Sequence, residues 1–196
     1  MTYKRKLHAT TMRDGSVAIT EVAPKHYLLE GVELPVRKLA GETWMVMYEG
    51  AWREAGELAG VFVYPPMEKI AAQWPESMRA EVVSHREIDQ AHVPQDRTYR
   101  NAWRDPGRGA LEHDMDKARE LHRQRLREAR APLLARLDVD YQRADERGDA
   151  AEKARIATQK QALRDAPAHP VIDAAKTIDE LAAAVPPALA DTQLRA

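Results

Sequence analysis

The chain has 196 residues, of which 44% are apolar, 31% charged and 6% aromatic, and none is cysteine. Thirty Lys+Arg against 31 Asp+Glu leave a formal charge of -1, which argues against a general nucleic-acid coat or a polybasic membrane binder. Without cysteine there are no disulfides, thiolate zinc sites or cysteine nucleophiles, and no apolar run approaches the roughly 20 residues of a membrane span.

The opening Met1-Thr-Tyr-Lys-Arg-Lys has no apolar segment behind its basic residues, so no secretory signal is expected and the expected compartment is a cytoplasm. All four tryptophans and the single phenylalanine lie before residue 104. Asp14-Gly15 suits a tight hairpin turn, because both central positions tolerate positive φ, and residues 16–22 follow as a strand. Residues 43–48 alternate, with Trp44, Val46 and Tyr48 on one side and Met45 and Met47 on the other, as in a strand covered on both faces. Residues 61–64 form a third candidate strand, stopped by Pro65-Pro66, and residues 81–88 a fourth. Between them, residues 67–74 predict a short helix that starts on Pro66.

Beyond residue 113 the pattern becomes helical. Met115, Ala118, His122, Leu126, Ala129, Leu133 and Leu137 recur at three- and four-residue steps, an apolar stripe down one helix face. Asp114 is the expected N-cap. Pro132 removes one backbone hydrogen bond, and a kink or a break is expected there. Gly148-Asp149 marks a turn, and Asp149-Ala-Ala-Glu152 matches a capping box for a second, antiparallel helix reaching about Arg164. Thr177-Ile-Asp-Glu180 matches another, and the last nine residues are expected to be loose. The expected fold class is therefore α+β. A small strand-containing module spans 1–92, a connecting segment 93–113 and an antiparallel helical hairpin 114–165. A Pro-containing connector, a short helix and a loose tail fill 166–196.

Chemistry-bearing motifs are sparse. There is no phosphate loop, His-Glu-x-x-His or Gly-x-Ser-x-Gly, so no catalytic residue, metal or cofactor is expected. Glu112-His113-Asp114-x-Asp116 has metal-ligand residue types, which keeps an acidic metal enzyme as a competing class, yet helix capping accounts for the carboxylates. Arg119, Arg123, Arg127 and Arg130 line one helical face. Such a stripe tracks phosphates or rims a salt-bridged protein interface. No aromatic accompanies it for base stacking, and acidic residues interleave with it. The candidate partner-binding set is Tyr99 and Trp103, anchoring the connecting segment, Met115, Leu126, Leu133 and Leu137 for helix packing or docking, and the four arginines as a rim.

Four segments carry a resemblance: Pro94-Gln-Asp-Arg-Thr-Tyr-Arg-Asn-Ala-Trp103, Asp114-Met-Asp-Lys-Ala-Arg119, Arg127-x-x-Arg130-x-x-Leu133-Leu134-x-x-Leu137-Asp138, and Lys160-Gln-Ala-Leu-Arg-Asp-Ala-Pro167. Together they resemble a recurring set in tailed-bacteriophage and prophage proteins, and the C-terminal half is similar to the phage tail assembly chaperone-like domain. The resemblance implies a non-enzymatic structural or assembly protein of the tail or tail-fibre region. Its implied partners are other phage structural proteins, with self-association a further option, no membrane, and nucleic acid the lesser expectation. Its implied location is the virion, or the bacterial host cytoplasm during assembly. The alternative is a phage DNA-handling factor, for packaging or regulation, that uses the Arg119/Arg123/Arg127/Arg130 face.

Overall fold

The computed structural model describes residues 5–39 and 43–190. The chain divides into two compact units, Met1–Gln95 with Arg104–Leu111, and Asp96–Trp103 with Glu112–Ala196. The architecture is α+β, with strands in the first unit and helices in the second.

The first unit holds three three-stranded antiparallel sheets among the described residues. In the first sheet, β1 (Lys6–Met12) lies between β2 (Val17–Val22) and β9 (Val82–Ile88). The β1–β2 turn places Gly15 at φ 76°, and the Asp14 carboxylate accepts the Ser16 N–H at 2.8 Å. The hairpin forms at Asp14-Gly15 as expected, but only Gly15 takes positive φ: the Gly15 N–H bonds the Met12 carbonyl at 2.9 Å, so Arg13-Asp14 is the central pair and Gly15 follows it. Leu7 and Ala9 are buried on one face of β1 and His8 and Thr10 on the other, so this central strand is covered twice.

In the second sheet, β3 (His26–Leu29) lies between β4 (Val32–Leu34) and β8 (Val61–Val63). In the third, β6 (Trp44–Tyr48) lies between β5 (Val36–Lys38) and β7 (Ala51–Glu54). The β3–β4 and β6–β7 hairpins close through two-residue Glu-Gly loops with both residues at positive φ, 50° and 84° at Glu30-Gly31, 50° and 76° at Glu49-Gly50. That is the type I′ turn, whose twist matches the strands it joins.

Tyr27, Trp44, Val46 and Ala55 form the core of these two sheets, with Phe62 packed edge-on between Tyr27 and Trp44 at 5.1 and 6.1 Å. The Tyr27 hydroxyl organises the loop leading into β8. It donates toward the Leu58 carbonyl at 2.8 Å, lies 3.2 Å from that of Ala55, and accepts the Gly60 N–H at 2.8 Å. Two short helices, α1 (Met67–Ala71) and α2 (Glu76–Glu81), each start directly after a proline, Pro66 and Pro75. Residues 104–111 return to this unit through a partly buried ion pair. Arg86 Nε donates to both Asp105 oxygens at 2.9 and 3.0 Å, and the Leu111 N–H bonds the His92 carbonyl. Burial raises the Asp105 pKa, but the Arg86 guanidinium and the Gly107 N–H outweigh it and hold the carboxyl below its ordinary value.

The second unit is built on α3 (Met115–Glu146), capped by Asp114, whose side chain accepts the Asp116 and Lys117 N–H groups. α3 runs through Pro132 as one helix, so the break allowed by the sequence does not occur. Both Pro132 and Glu128, whose carbonyl loses its amide partner, are exposed, and water can take the free acceptor. α4 (Ala150–Asp165) folds back antiparallel after Gly148, at φ 68°, with Asp149 accepting the Glu152 N–H. α5 (Pro170–Ala174) and α6 (Ile178–Ala183) follow, the latter capped by Thr177. A final 3-10 turn, Pro187–Leu189, buries Leu189 completely.

Two boundaries differ from the sequence expectation. The segment 93–113 is not an independent connector, because Tyr99 and Ala102 belong to the helical core while 104–111 belongs to the first unit. The region after 165 is structural too: Ile172, Leu181 and Leu189 are all core residues. Of the nine residues expected to be loose, 191–196 lie outside the described residues. The proline spacing suggests a linker, but the apolar residues between the prolines pack into the helical core.

A Cβ added at Gly60 meets Tyr27 Cε1 at 2.3 Å and the Leu28 carbonyl at 2.4 Å. Gly60→Ala should therefore destabilise the first unit by about 1–3 kcal/mol through overpacking. Urea unfolding followed by tryptophan fluorescence checks it, and an unchanged midpoint refutes the tight fit.

Candidate functional site

The most constrained polar site of the helical unit is His122, 1% exposed on α3. Its Nε2 lies 3.1 Å from the Ala184 carbonyl and its Nδ1 2.9 Å from the Tyr99 hydroxyl. A carbonyl can only accept, so Nε2 carries the hydrogen, Nδ1 accepts, and the Tyr99 hydroxyl donates. Three separate segments thus meet on one imidazole. Burial lowers the His122 pKa against the opposing effect of the Ala184 carbonyl, with Arg125 and Arg123 adding to the lowering. Burial also raises the Tyr99 pKa, which keeps the phenol a donor.

The sequence-selected apolar residues turn inward. Tyr99 and Leu126 are core, and Met115, Leu133 and Leu137 are half-buried against that core. The stripe is therefore the α3 packing face of its own unit, which leaves little of it for docking. Trp103 is buried and donates its indole N–H to His113 Nε2 at 3.1 Å. It anchors its segment as expected, next to the short ladder of β10 (Trp103–Arg104) and β11 (Glu112–His113).

The arginine rim is also used internally. Arg119 donates to the Ala175 carbonyl and pairs with Asp116, both at 2.8 Å. Arg123 bonds Asp173 of α5, and Arg127 bonds Glu120 at 2.8 Å. Arg130 donates to the Leu163 and Arg164 carbonyls at the end of α4. Two of the four stripe arginines thus satisfy terminal carbonyls that helices leave orphaned. The stripe that suggested phosphate tracking is a set of staples, and only Arg127 keeps its bonds on α3 alone.

The Glu112–Asp116 cluster is divided among other tasks. His113 Nε2 accepts the Trp103 indole, the Asp114 carboxylate caps α3, and Asp116 pairs with Arg119. Among the described residues no group of three or more His, Asp or Glu is placed to hold a metal ion, and no helix is long and apolar enough to cross a membrane.

Two surface features escaped the sequence reading. Large apolar residues stand exposed on sheet edges: Val32 at 57% on β4, Val61 at 50% on β8 and Val83 at 67% on β9. On the helical unit, Arg97, Arg100 and Arg125 border one open cleft. Arg97 and Arg100 sit inside the first segment that carries the phage resemblance, yet their spacing alone carries no helical or strand pattern to mark them. Comparison with known proteins finds no matching family model, curated protein or solved structure.

Because its folded-state pKa is lowered, His122 takes up a proton in the unfolded chain before the folded one. Its contribution to stability is complete above about pH 6.5 and declines as pH falls from there toward the folded value. His8 and His113, lowered first by burial, act in the same direction. Urea midpoints should therefore drop between about pH 7.5 and 5.5, above the range where carboxylates titrate. Tyr99→Phe should cost about 1–3 kcal/mol by leaving His122 Nδ1 buried without its donor. A flat pH profile would refute the lowering of the histidine pKa values by burial.

Proposed function

We propose that the chain is a non-enzymatic protein-binding component of a tailed bacteriophage, acting in the tail or tail-fibre region as a structural or assembly protein. The phage context rests on the four-segment resemblance between residues 94 and 185. The protein-binding reading rests on one observation of the first unit: its exposed strand valines, Val32, Val61 and Val83, all lie on edge strands. An edge strand presents unpaired backbone donors and acceptors, and natural sheets usually guard such edges with charge, bulges or proline. β9 carries such a bulge, with Val83 as its extra residue, whereas Val32 and Val61 sit in regular ladders. A valine exposed there favours addition of a partner's strand, which gains backbone hydrogen bonds and apolar contact together. The DNA-handling alternative needs guanidiniums free on the α3 face, and those of Arg119, Arg123, Arg127 and Arg130 are bonded within the chain.

Mass spectrometry of purified particles beside infected-cell lysate tests this reading. It should find the protein at stoichiometric copy number in particles, or co-purifying with a tail or fibre protein in lysate only. Absence from both would refute it. Val61→Lys with Val83→Lys should reduce partner co-purification about tenfold without changing the thermal midpoint, since both side chains are at least half exposed.

A further inference from the structure

Arg97, Arg100 and Arg125 enclose, with Asp96, Thr98 and Asn101, an open cleft of about 560 Å³ on the helical unit. Their condition differs from that of the stripe arginines on α3. Arg97 and Arg100 are exposed, and neither guanidinium has an ion pair or hydrogen bond among the described residues. Arg125 is held in place: it bonds the Thr98 carbonyl and its guanidinium sits 4.8 Å from the Tyr99 ring centroid. Tyr99 is itself fixed by His122. One rigid and two free planar cations therefore face the same space. The Asp96 carboxylate is occupied by Thr98, whose backbone N–H it accepts at 2.8 Å and whose hydroxyl also holds it, lowering its pKa. Three guanidiniums against one carboxylate leave the lining at +2.

We propose that this cleft docks an acidic segment of a protein partner, seating Asp or Glu carboxylates on Arg97 and Arg100 with Arg125 as the fixed wall. The inference rests on the protein-binding reading above and gives the partner a chemistry. A guanidinium presents a planar fork of donors that matches a carboxylate in a bidentate fashion. Two features favour a peptide carboxylate over a nucleic-acid phosphate. The chain as a whole carries a charge of -1, which supplies no long-range steering of a polyanion. Tyr99, the aromatic nearest the cleft, is buried and offers no face for a base to stack on.

The test is an NMR titration of the full chain, following the arginine Nε–H resonances. The probes are an acetylated hexaglutamate peptide, inorganic phosphate and a single-stranded oligonucleotide. The peptide should shift the Arg97, Arg100 and Arg125 resonances and weaken markedly between about 50 and about 200 mM salt. Arg97→Gln with Arg100→Gln should lower its affinity about tenfold, while Arg136→Gln, an exposed arginine elsewhere on α3, should leave it unchanged. Both substituted cleft residues are solvent-exposed, so the double variant keeps its melting temperature; circular dichroism verifies this. Peptide binding that survives the double substitution overturns the proposal, as does tighter binding of the oligonucleotide. Competition by phosphate at equal concentration overturns it too, because a bare anion site would then suffice. The two readings fail separately. A phage partner that co-purifies equally with the double variant sinks the cleft and spares the protein-binding function. Peptide docking that depends on Arg97 and Arg100, in a chain that captures no phage protein, sinks the phage function and spares the cleft.

Discussion

Three stretches of chain that have no regular hydrogen-bonding relation to one another meet on the imidazole of His122. The 3-10 turn around Tyr99, the long helix α3 and the end of α6 each supply one group, and the neutral tautomer with hydrogen on Nε2, which burial favours over the cation, satisfies all of them. Apolar burial alone does not select one arrangement here. Ala118, Leu126, Ile172, Leu181 and Leu189 are all fully buried, yet such contacts are non-directional and tolerate sliding. A buried pair of hydrogen bonds is directional, and misplacing it strands polar atoms in the core. The relay therefore sets how the irregular segments register against the helix. Arg125 continues the chain outward, because the ring it rests on is the one His122 positions.

A second economy runs along α3. Arginine on a helix surface ordinarily contributes little through exposed ion pairs. Here Arg119 and Arg130 reach past their own helix to carbonyl groups that end α5 and α4. Each satisfies an acceptor that has no intrahelical donor, and Arg130 also places positive charge at the negative end of the α4 dipole. Lys153 with Asp145 and Lys160 with Asp138 join α3 to α4 in the same way on the hairpin's other flank. Charge in this unit is mortar, which explains how helices rich in charged residues pack without a broad apolar face.

The contrast explains what could be read in the residues beforehand. Helix starts were legible because capping is local: Asp114, Asp149 and Thr177 each cap within three residues of themselves. The Asp14-Gly15 hairpin was legible for the same reason. The Glu30-Gly31 and Glu49-Gly50 turns were overlooked because glutamate is not a usual first residue of a type I′ loop, although the glycine and the two-residue spacing were present. Without those turns, β3, β4, β5 and β7 had no boundaries, and strands of three or four residues carry too little alternation to stand alone. The destination of each arginine was illegible in principle. A stripe at helical spacing looks the same whether it faces phosphate, a partner or the carbonyl end of a helix fifty residues away. Pro132 misled in the opposite sense, since its local penalty is softened by exposure, which only the fold reveals.

The two units therefore differ in how complete they are. The helical unit meets most of its own needs: Asp114, Asp149 and Thr177 cap its helices, Arg130 bonds the carbonyls that end α4, and His122 is bonded through both ring nitrogens. In the first unit, each three-stranded sheet has one central strand and two edges. A three-stranded sheet with one buried face is near the lower limit of independent stability, and each edge leaves a row of backbone groups to water. Val32 and Val61 add apolar side chains to two of those edges, where a free-standing domain gains by placing charge, while the edge at Val83 is bent by a bulge. An association that adds a strand supplies hydrogen bonds the edge lacks and buries the valine beside it, so binding and folding stability rise together. The proposed protein association would complete these edges, and in the helical unit the groups left over after its own bonds are made are two arginines beside a fixed third.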